Sequence, residues 1–244
     1  MKQILRFAVA LVLCLTSLNS QAIGPKMGIF NHLGVGAHIG TAGYGFEVAT
    51  PVTKFINLRA GMSFMPGISF GDTYDVELNT GDDTRYYDID VDAGIKRTQT
   101  HVIANIYPFA WMGGAFYVAA GAYFGGKDIV KLKGHSDELA NLNGAVVEFE
   151  DYNIPVDRNG NVRASLQTKS VRPYLGLGFG RPVPTRRLNF AFELGVQFMG
   201  KMKVIAAGKE LEPVNDDADG TWHDIMDKVT VYPVMKFTLS GRIF

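Results

Sequence analysis

Histidines and carboxylates are the side chains of this sequence that could support acid–base or metal chemistry. His38 and His101 lie in different apolar segments, and no G-x-S-x-G, H-E-x-x-H or P-loop pattern accompanies them. Isolated histidines of this kind are more often hydrogen-bonded interior residues than catalytic groups or metal ligands. We therefore predict no catalytic residue, no metal site and no cofactor, and we do not expect an enzyme.

Two acidic runs carry oxygen ligands of the type that Ca²⁺ prefers. Their aspartates are Asp82, Asp83, Asp88, Asp90, Asp92, Asp216, Asp217 and Asp219. Neither run has the spacing of an EF-hand, and polar loops that face water have the same composition. Solvated loops are therefore the favoured interpretation over a calcium site.

The stretch 172–199 indicates which elements position the polar side chains. Its second arm alternates large apolar residues with glycine, alanine and single polar residues such as Glu193. The apolar positions are Leu188, Phe190, Phe192, Leu194, Val196 and Phe198. A β-strand places such a set on one face. That face carries no charge over about ten residues, the length of a tilted strand that crosses a bilayer.

The same alternation recurs along the chain and predicts the fold. It is found over 27–40, 44–50, 55–65, 98–107, 115–124, 172–179, 188–199 and 229–244. Polar stretches at 66–96, 125–170 and 200–228 separate these segments as long loops. The second of them contains an Asn159-Gly160 hairpin signal and one or two predicted helical turns over 136–142. The pattern predicts an all-β, eight-stranded antiparallel up-and-down transmembrane β-barrel with long loops on one side.

The inward face of this barrel carries charges that need partners. An eight-stranded barrel is just wide enough for side chains to fill it, and buried charges must be paired. The inward charges are Glu47, Arg59, Arg172, Glu193, Lys236 and Arg242, and the inward polar residues include His38, His101, Tyr117 and Tyr174. We predict an ion-pair ladder that fills the lumen, in which the two glutamates are matched by the arginines or the lysine. A gated ion path and a catalytic His–Glu site are the alternatives.

The first 22 residues have the features of a secretory signal. Lys2 and Arg6 precede an apolar run over 8–15, and Ser20-Gln21-Ala22 forms a small-x-small site, so we predict cleavage after Ala22. The single barrel domain then spans 23–244. Cys14, the only cysteine, lies in the signal, and a lipoprotein alternative is disfavoured by the bulk of Leu13. The mature chain has 22 basic against 24 acidic residues and no basic stripe, which argues against a nucleic-acid partner.

The signal, the glycine-rich alternating strands and terminal Phe244 resemble those of small outer-membrane β-barrel proteins of Gram-negative bacteria. The segments FNHLGVGAHIG, LRAGMSFMPG and VRPYLGLGFGRPVP resemble those of a family of such proteins in Bacteroides-type bacteria. The resemblance implies a monomer in the outer membrane that contacts lipid and lipopolysaccharide. It also implies that the barrel-assembly machinery reads Phe244.

The preceding apolar set, Ile243, Leu239 and Phe237, is one position out of phase with Phe244. Either a bulge near Gly241 restores the register, or Phe244 points differently from the usual case.

Function is predicted only at the level of a structural or surface-interaction role. One alternative is a soluble periplasmic carrier of lipocalin type, in which Phe190, Phe192 and Leu194 would point inward around a small apolar ligand. The other is a lipid-modifying outer-membrane enzyme, which requires a Ser–His or carboxylate pair at the rim of the barrel.

Overall fold

The computed structural model describes residues 32–79, 84–112, 114–135, 146–149, 152–181, 188–211 and 230–243. The strands within these ranges are β1 Gly34–Gly40, β2 Gly43–Pro51, β3 Ile56–Asn79, β4 Thr84–Ile106, β5 Phe116–Gly125, β6 Asp128–His135, β7 Val146–Phe149, β8 Tyr152–Pro155, β9 Asn161–Gln167, β10 Val171–Phe179, β11 Leu188–Phe198, β12 Lys203–Ala206, β13 Lys209–Glu210 and β14 Val231–Arg242. A 3₁₀ helix spans Ala110–Met112. Across the described residues, no helix has the length and apolar character needed to cross a membrane.

Eight of these strands close into an antiparallel barrel. Their order around the barrel is β1, β2, β3, β4, β5, β10, β11 and β14. The pairing of β1 with β14, from Gly34 opposite Arg242 to Gly40 opposite Lys236, joins the two ends of the sheet. Closure pairs the edges of the sheet within the barrel. The predicted eight-stranded up-and-down barrel is confirmed.

The two faces of the barrel wall have opposite chemistry. Along β10, every second residue from Arg172 to Gly178 is buried and every residue between them is exposed. The exposed positions of the barrel strands include Ile39, Phe46, Val102, Leu175, Leu177, Phe179, Phe190, Leu194, Phe237 and Leu239. The buried positions include arginine, glutamate, lysine, histidine and tyrosine. The wall is therefore apolar outside and polar inside, as the alternation predicts.

Two barrel strands extend far beyond the wall. β3 has 24 residues and β4 has 23, and their upper parts pair with each other from Ile68 opposite Ile95 to Asn79 opposite Thr84. The prediction of a loop over 66–96 is therefore wrong. The upper part of β4 leaves β5 and pairs with β6, which pairs with β9, then β12 and β13. We call these upper parts of β3 and β4, with β6, β9, β12 and β13, the upper sheet.

A register shift between Met65 and Ile68 explains why the sequence suggested an end to β3. Pro66 has no backbone N–H to donate to a sheet, and Gly67 has no side chain to pack. In this structure the pair forms a β-bulge, at which the strand leaves the wall and continues. The composition beyond the bulge is polar because the strand is no longer part of the barrel.

The connections separate by length between the two ends of the barrel. At the lower end, where the described chain begins and ends, the links 52–55, 107–115 and 180–187 are short. At the upper end lie the 41–42 turn, the β3–β4 extension and the two long links 126–170 and 199–230. Within the first long link, Gly160 donates to the Asp157 carbonyl (2.9 Å) and has a φ of 72°, which confirms a hairpin turn at Asn159-Gly160. The predicted helical turns over 136–142 lie outside the described residues.

Candidate functional site

Four charged side chains meet inside the barrel and form what we call the central ion cluster. Lys236 Nζ lies 2.9 Å from Glu47 Oε2 and 3.8 Å from Glu193 Oε1. Arg59 Nη1 lies 3.5 Å from Glu47 Oε2, and Arg59 Nη2 donates to both oxygens of Glu193, at 2.6 Å to Oε1. Each carboxylate thus contacts both cations in a closed cycle. The cluster is electrically balanced, and each of its residues is at most 3% exposed.

The cluster depends on inward positions of four different strands. Glu193 on β11 and Lys236 on β14 are direct cross-strand partners. Glu47 on β2 lies opposite Gly61 on β3, where a side chain would reach within 2.7 Å of the Glu47 Cβ. The absence of a side chain at Gly61 therefore leaves the space that Glu47 occupies. Taking two ion pairs out of water is costly, and close pairing of this kind offsets that cost.

Tyrosines complete the surroundings of Glu193 and occupy the space over inward glycines. Tyr117 donates its hydroxyl to Glu193 Oε2 at 2.9 Å, and Tyr174 donates to Oε1 at 2.7 Å. A methyl group at Gly178 would collide with the ring of Tyr117, and one at Gly195 would lie 2.6 Å from Cζ of Tyr174. The small inward residues at these positions therefore accommodate aromatic rings from neighbouring strands.

The two predicted lumen histidines lie beside the central ion cluster. His101 Nε2 is 3.3 Å from Glu47 Oε2, and His38 Nε2 is 2.9 Å from Ser63 Oγ. The Ser63–His38 contact joins β1 to β3, and the sequence did not reveal it because the two residues lie 25 positions apart. His38 Nδ1 is 3.9 Å from Glu47, too far for the hydrogen bond that orients a catalytic histidine. Ser63 and His38 are 1% and 5% exposed, inside the wall rather than at its rim.

A second group of polar side chains, which we call the arginine layer, consists of Arg97, Gln99, Arg172 and Gln197. Arg97 Nη2 donates to Gln197 Oε1 at 3.0 Å, and its guanidinium lies 5.5 Å from the ring of Tyr232. Arg172 Nη2 donates to the carbonyl of Gly126 at 3.3 Å. The sequence offered Arg172 as one of the alternative partners of the two glutamates, but no ion pair joins it to any described carboxylate. Arg97 precedes the predicted strand 98–107, so the alternation does not predict its position in the lumen.

The remaining predicted residues lie near the lower end. Arg242 ends β14 and is exposed, so its predicted membership of the buried charge network is wrong. Its position in the alternation is inward, but water reaches the strand at the mouth of the barrel. Phe244 lies outside the described residues. The β1–β14 register runs without a shift as far as Arg242, so no bulge is present at Gly241 and the exposed Ile243 follows the outward face.

Metal ligands are not grouped in the part of the chain that the structure describes: no set of three His, Cys, Asp or Glu residues there could hold an ion. Asp88, Asp90 and Asp92 lie on β4 rather than in a loop. Asp82, Asp83 and the second acidic run lie outside the described residues. The choice between solvated loops and calcium binding therefore stays a prediction.

Comparison with known proteins finds similarity at the level of the fold. No protein-family model matches the chain, and no curated protein matches it. The crystal structure of CarO2 from Acinetobacter baumannii is similar, with a TM-score of 0.51 and 22% sequence identity over 88% of this chain and 100% of CarO2. A crystal structure of CarO from the same species has a TM-score of 0.46 and 20% identity, over 85% of this chain and 96% of CarO. The likeness to CarO2 shows a shared barrel fold.

Proposed function

We propose that this chain is an integral outer-membrane barrel with a lumen sealed by side chains, and that its role is structural or one of surface interaction. The observation that carries the proposal is the apolar outer face of a closed barrel, on which none of the described charged residues of the wall is placed at mid-height. Such a face is stable in hydrocarbon, where the closed sheet leaves no unpaired backbone edge.

The outer face is difficult to reconcile with a protein surrounded by water. Phe190 is 77% exposed, Phe179 64% and Leu194 50%, and their neighbours on the same face are also apolar. Soluble monomers rarely expose contiguous apolar patches larger than a few hundred Å². A soluble carrier of lipocalin type requires the reverse arrangement, with Phe190, Phe192 and Leu194 around an internal ligand. Their outward direction therefore favours the membrane barrel over that alternative.

The filled lumen supports a structural role over a transport role. The central ion cluster crosses the barrel, and Tyr117, Tyr123 and Tyr174 are each at most 3% exposed. Surface interaction belongs to the upper sheet, which in the proposed orientation stands on the outer side of the membrane, where the long connections of such barrels lie. Contact with lipopolysaccharide, insertion by the barrel-assembly machinery and a monomeric state accompany this proposal as predictions.

Membrane fractionation tests the location. We expect the protein in the outer-membrane fraction, with a gel mobility that changes on heating because the closed barrel resists detergent until boiled. A chain recovered wholly in the periplasmic extract would overturn the proposal.

A single substitution on the outer face gives a second test of the same proposal. Phe190→Arg should lower the free energy of unfolding in lipid vesicles by about 2–4 kcal/mol if this position lies near the bilayer midplane. Lys133→Arg on the upper sheet is the control and should have little effect. A soluble protein would tolerate an exposed arginine at position 190 without this loss.

Single-channel recording tests the sealed lumen. We expect no discrete current steps from the wild-type protein in a planar bilayer, because side chains of the central ion cluster close the path. Glu193→Gln, which leaves Arg59 and Lys236 with one carboxylate, should conduct more often than the wild type. Regular steps from the wild type would exclude a sealed lumen.

The absence of enzyme activity is also a proposal, and the Ser63–His38 contact makes it testable. Both side chains are buried, so a fluorophosphonate that labels activated serines should not modify the folded protein. Labelling that disappears in Ser63→Ala would instead support the lipid-modifying enzyme.

A further inference from the structure

The arginine layer contains two buried positive charges that no described carboxylate balances. Arg97 is 4% exposed and Arg172 is 0% exposed, so water does not solvate either guanidinium. Among the ion pairs of the described residues, those within the lumen belong to the central ion cluster and its histidines. Among the described residues, the upper lumen therefore has a local excess of two positive charges.

The hydrogen bonds of this layer are also incomplete. Arg97 and Arg172 each donate to a neutral oxygen, one from Gln197 and one from the backbone of Gly126. Arg97 Nε, Arg172 Nε and Nη1, and Gln197 Nε2 have no acceptor in the described structure. Gln99 Nε2 and Oε1 are also unpaired, so five of the six unpaired atoms in the described part of this layer are donors. Buried polar groups are nearly always paired, so a cluster of unused donors indicates a missing acceptor.

The members of the layer lie close to one another. A Cβ atom at Gly125 would lie 2.8 Å from Arg172 Nη2 and 3.2 Å from Gln99 Cβ, so both residues border the space over this glycine. Gln99 is two positions from Arg97 on β4, and the two residues share the inward face. An acceptor in the space over Gly125 would therefore lie beside the donors of Arg172 and next to the part of β4 that carries Arg97.

We propose that the arginine layer binds a small oxyanion, with the size and charge of phosphate or a simple carboxylate. Water could satisfy the donors, but only an anion also balances the two charges. Guanidinium groups present paired donors that match the oxygens of carboxylate and phosphate. The site lies inside the wall, so the ligand is a free anion rather than a lipid headgroup held in the bilayer. Both side chains are buried, so their long flexible stems must move to admit the ligand.

Calorimetric titration of the full folded chain with sodium phosphate tests the proposal. The protein is held in a neutral detergent without phospholipid, and sodium chloride keeps the ionic strength constant. We expect saturable binding, and a temperature of unfolding that rises with phosphate concentration, because a ligand that binds only the folded state stabilises it. Arg172→Gln and Arg97→Gln should each weaken binding at least tenfold.

Two further variants distinguish a specific binding site from a general electrostatic attraction of anions to the protein. Arg172→Lys keeps the charge but loses the paired donors, so its binding should fall between those of the wild type and Arg172→Gln. Lys131→Gln removes an exposed cation from the upper sheet and should leave binding unchanged within twofold.

Three results would overturn the proposal. They are no saturable binding by the wild type beyond that of chloride, binding by Arg172→Gln equal to the wild type, and an equal loss of binding in Lys131→Gln. If Arg172→Gln does not fold, Arg97→Gln decides in the same way. None of these outcomes depends on the location of the barrel in the cell.

Discussion

The central ion cluster and the arginine layer lie in the same lumen and are equally buried, yet they solve the problem of burial differently. In the cluster, Arg59 and Lys236 face two carboxylates, and every charge has an opposite charge within 4 Å. In the layer, Arg97 and Arg172 face amide and backbone oxygens. This difference shows that two buried charges in the same small barrel can have different roles, because their roles depend on the partners of each charge. The balanced charges of the central ion cluster hold strands of the barrel together, and the unpaired donors of the arginine layer are available to the proposed ligand.

Breaking the central ion cluster should have the largest effect. Glu193→Gln keeps the shape of the side chain but leaves two buried cations with one carboxylate, so the free energy of unfolding should fall by about 3–5 kcal/mol. Urea unfolding of the protein in micelles, followed by tryptophan fluorescence, measures the change. Glu210→Gln is the matched control, because its pair with Lys203 (2.8 Å) is about half exposed and such pairs contribute at most about 1 kcal/mol. Equal losses in the two variants would contradict a stabilising cluster.

Filling the space of an inward glycine should have the next largest effect. Gly178→Ala places a methyl group against the ring of Tyr117, which donates to Glu193, and overpacking of this kind costs about 1–3 kcal/mol. Gly126→Ala is the control, since no atom lies within 4 Å of the added methyl group. The same unfolding assay compares them, and a loss confined to Gly178→Ala is the expected result.

The arginine layer should show the smallest effect in the absence of anions. Arg172→Gln removes an unbalanced buried charge, so in phosphate-free buffer it should change stability by less than about 1 kcal/mol or increase it. Arg59→Gln, in contrast, should cost about 3–5 kcal/mol because it leaves a carboxylate unpaired. Urea unfolding of both variants, side by side, sharpens the comparison between the two groups. Similar losses in both would mean that Arg172 has a partner within the protein.

The sequence predicted the orientation of side chains better than their contacts. Alternation around Glu193 and Phe190 placed charges inside and phenylalanines outside, and the structure agrees. The same alternation predicts that Arg242 points inward, although its position at the mouth of the barrel leaves it exposed. The alternation along a strand predicts which face of the wall a residue occupies, but it does not predict how far along the barrel axis the residue lies.

The upper sheet was missed for a different reason. Pro66-Gly67 and the acidic composition that follows are typical of a loop, so the sequence predicts that the strand ends at Met65. A bulge lets β3 continue past this point, and its upper part pairs with β4 as far as Asn79. Sequence periodicity indicates where apolar side chains recur, but whether a strand continues through a Pro-Gly pair depends on a bulge and on its pairing partner, which the local sequence does not reveal.

The sequence alone determined that eight strands close a barrel with an apolar exterior and a charged interior, because side-chain alternation is a local property with a period of two residues. Tertiary structure decided which charges meet. Glu193 contacts Arg59, 134 positions away, whereas Arg172, which the alternation predicts to have the same orientation, contacts no carboxylate of the described residues. These contacts depend on strand tilt and on the stagger of the sheet around the barrel, and both are set by closure of the whole chain rather than by any segment.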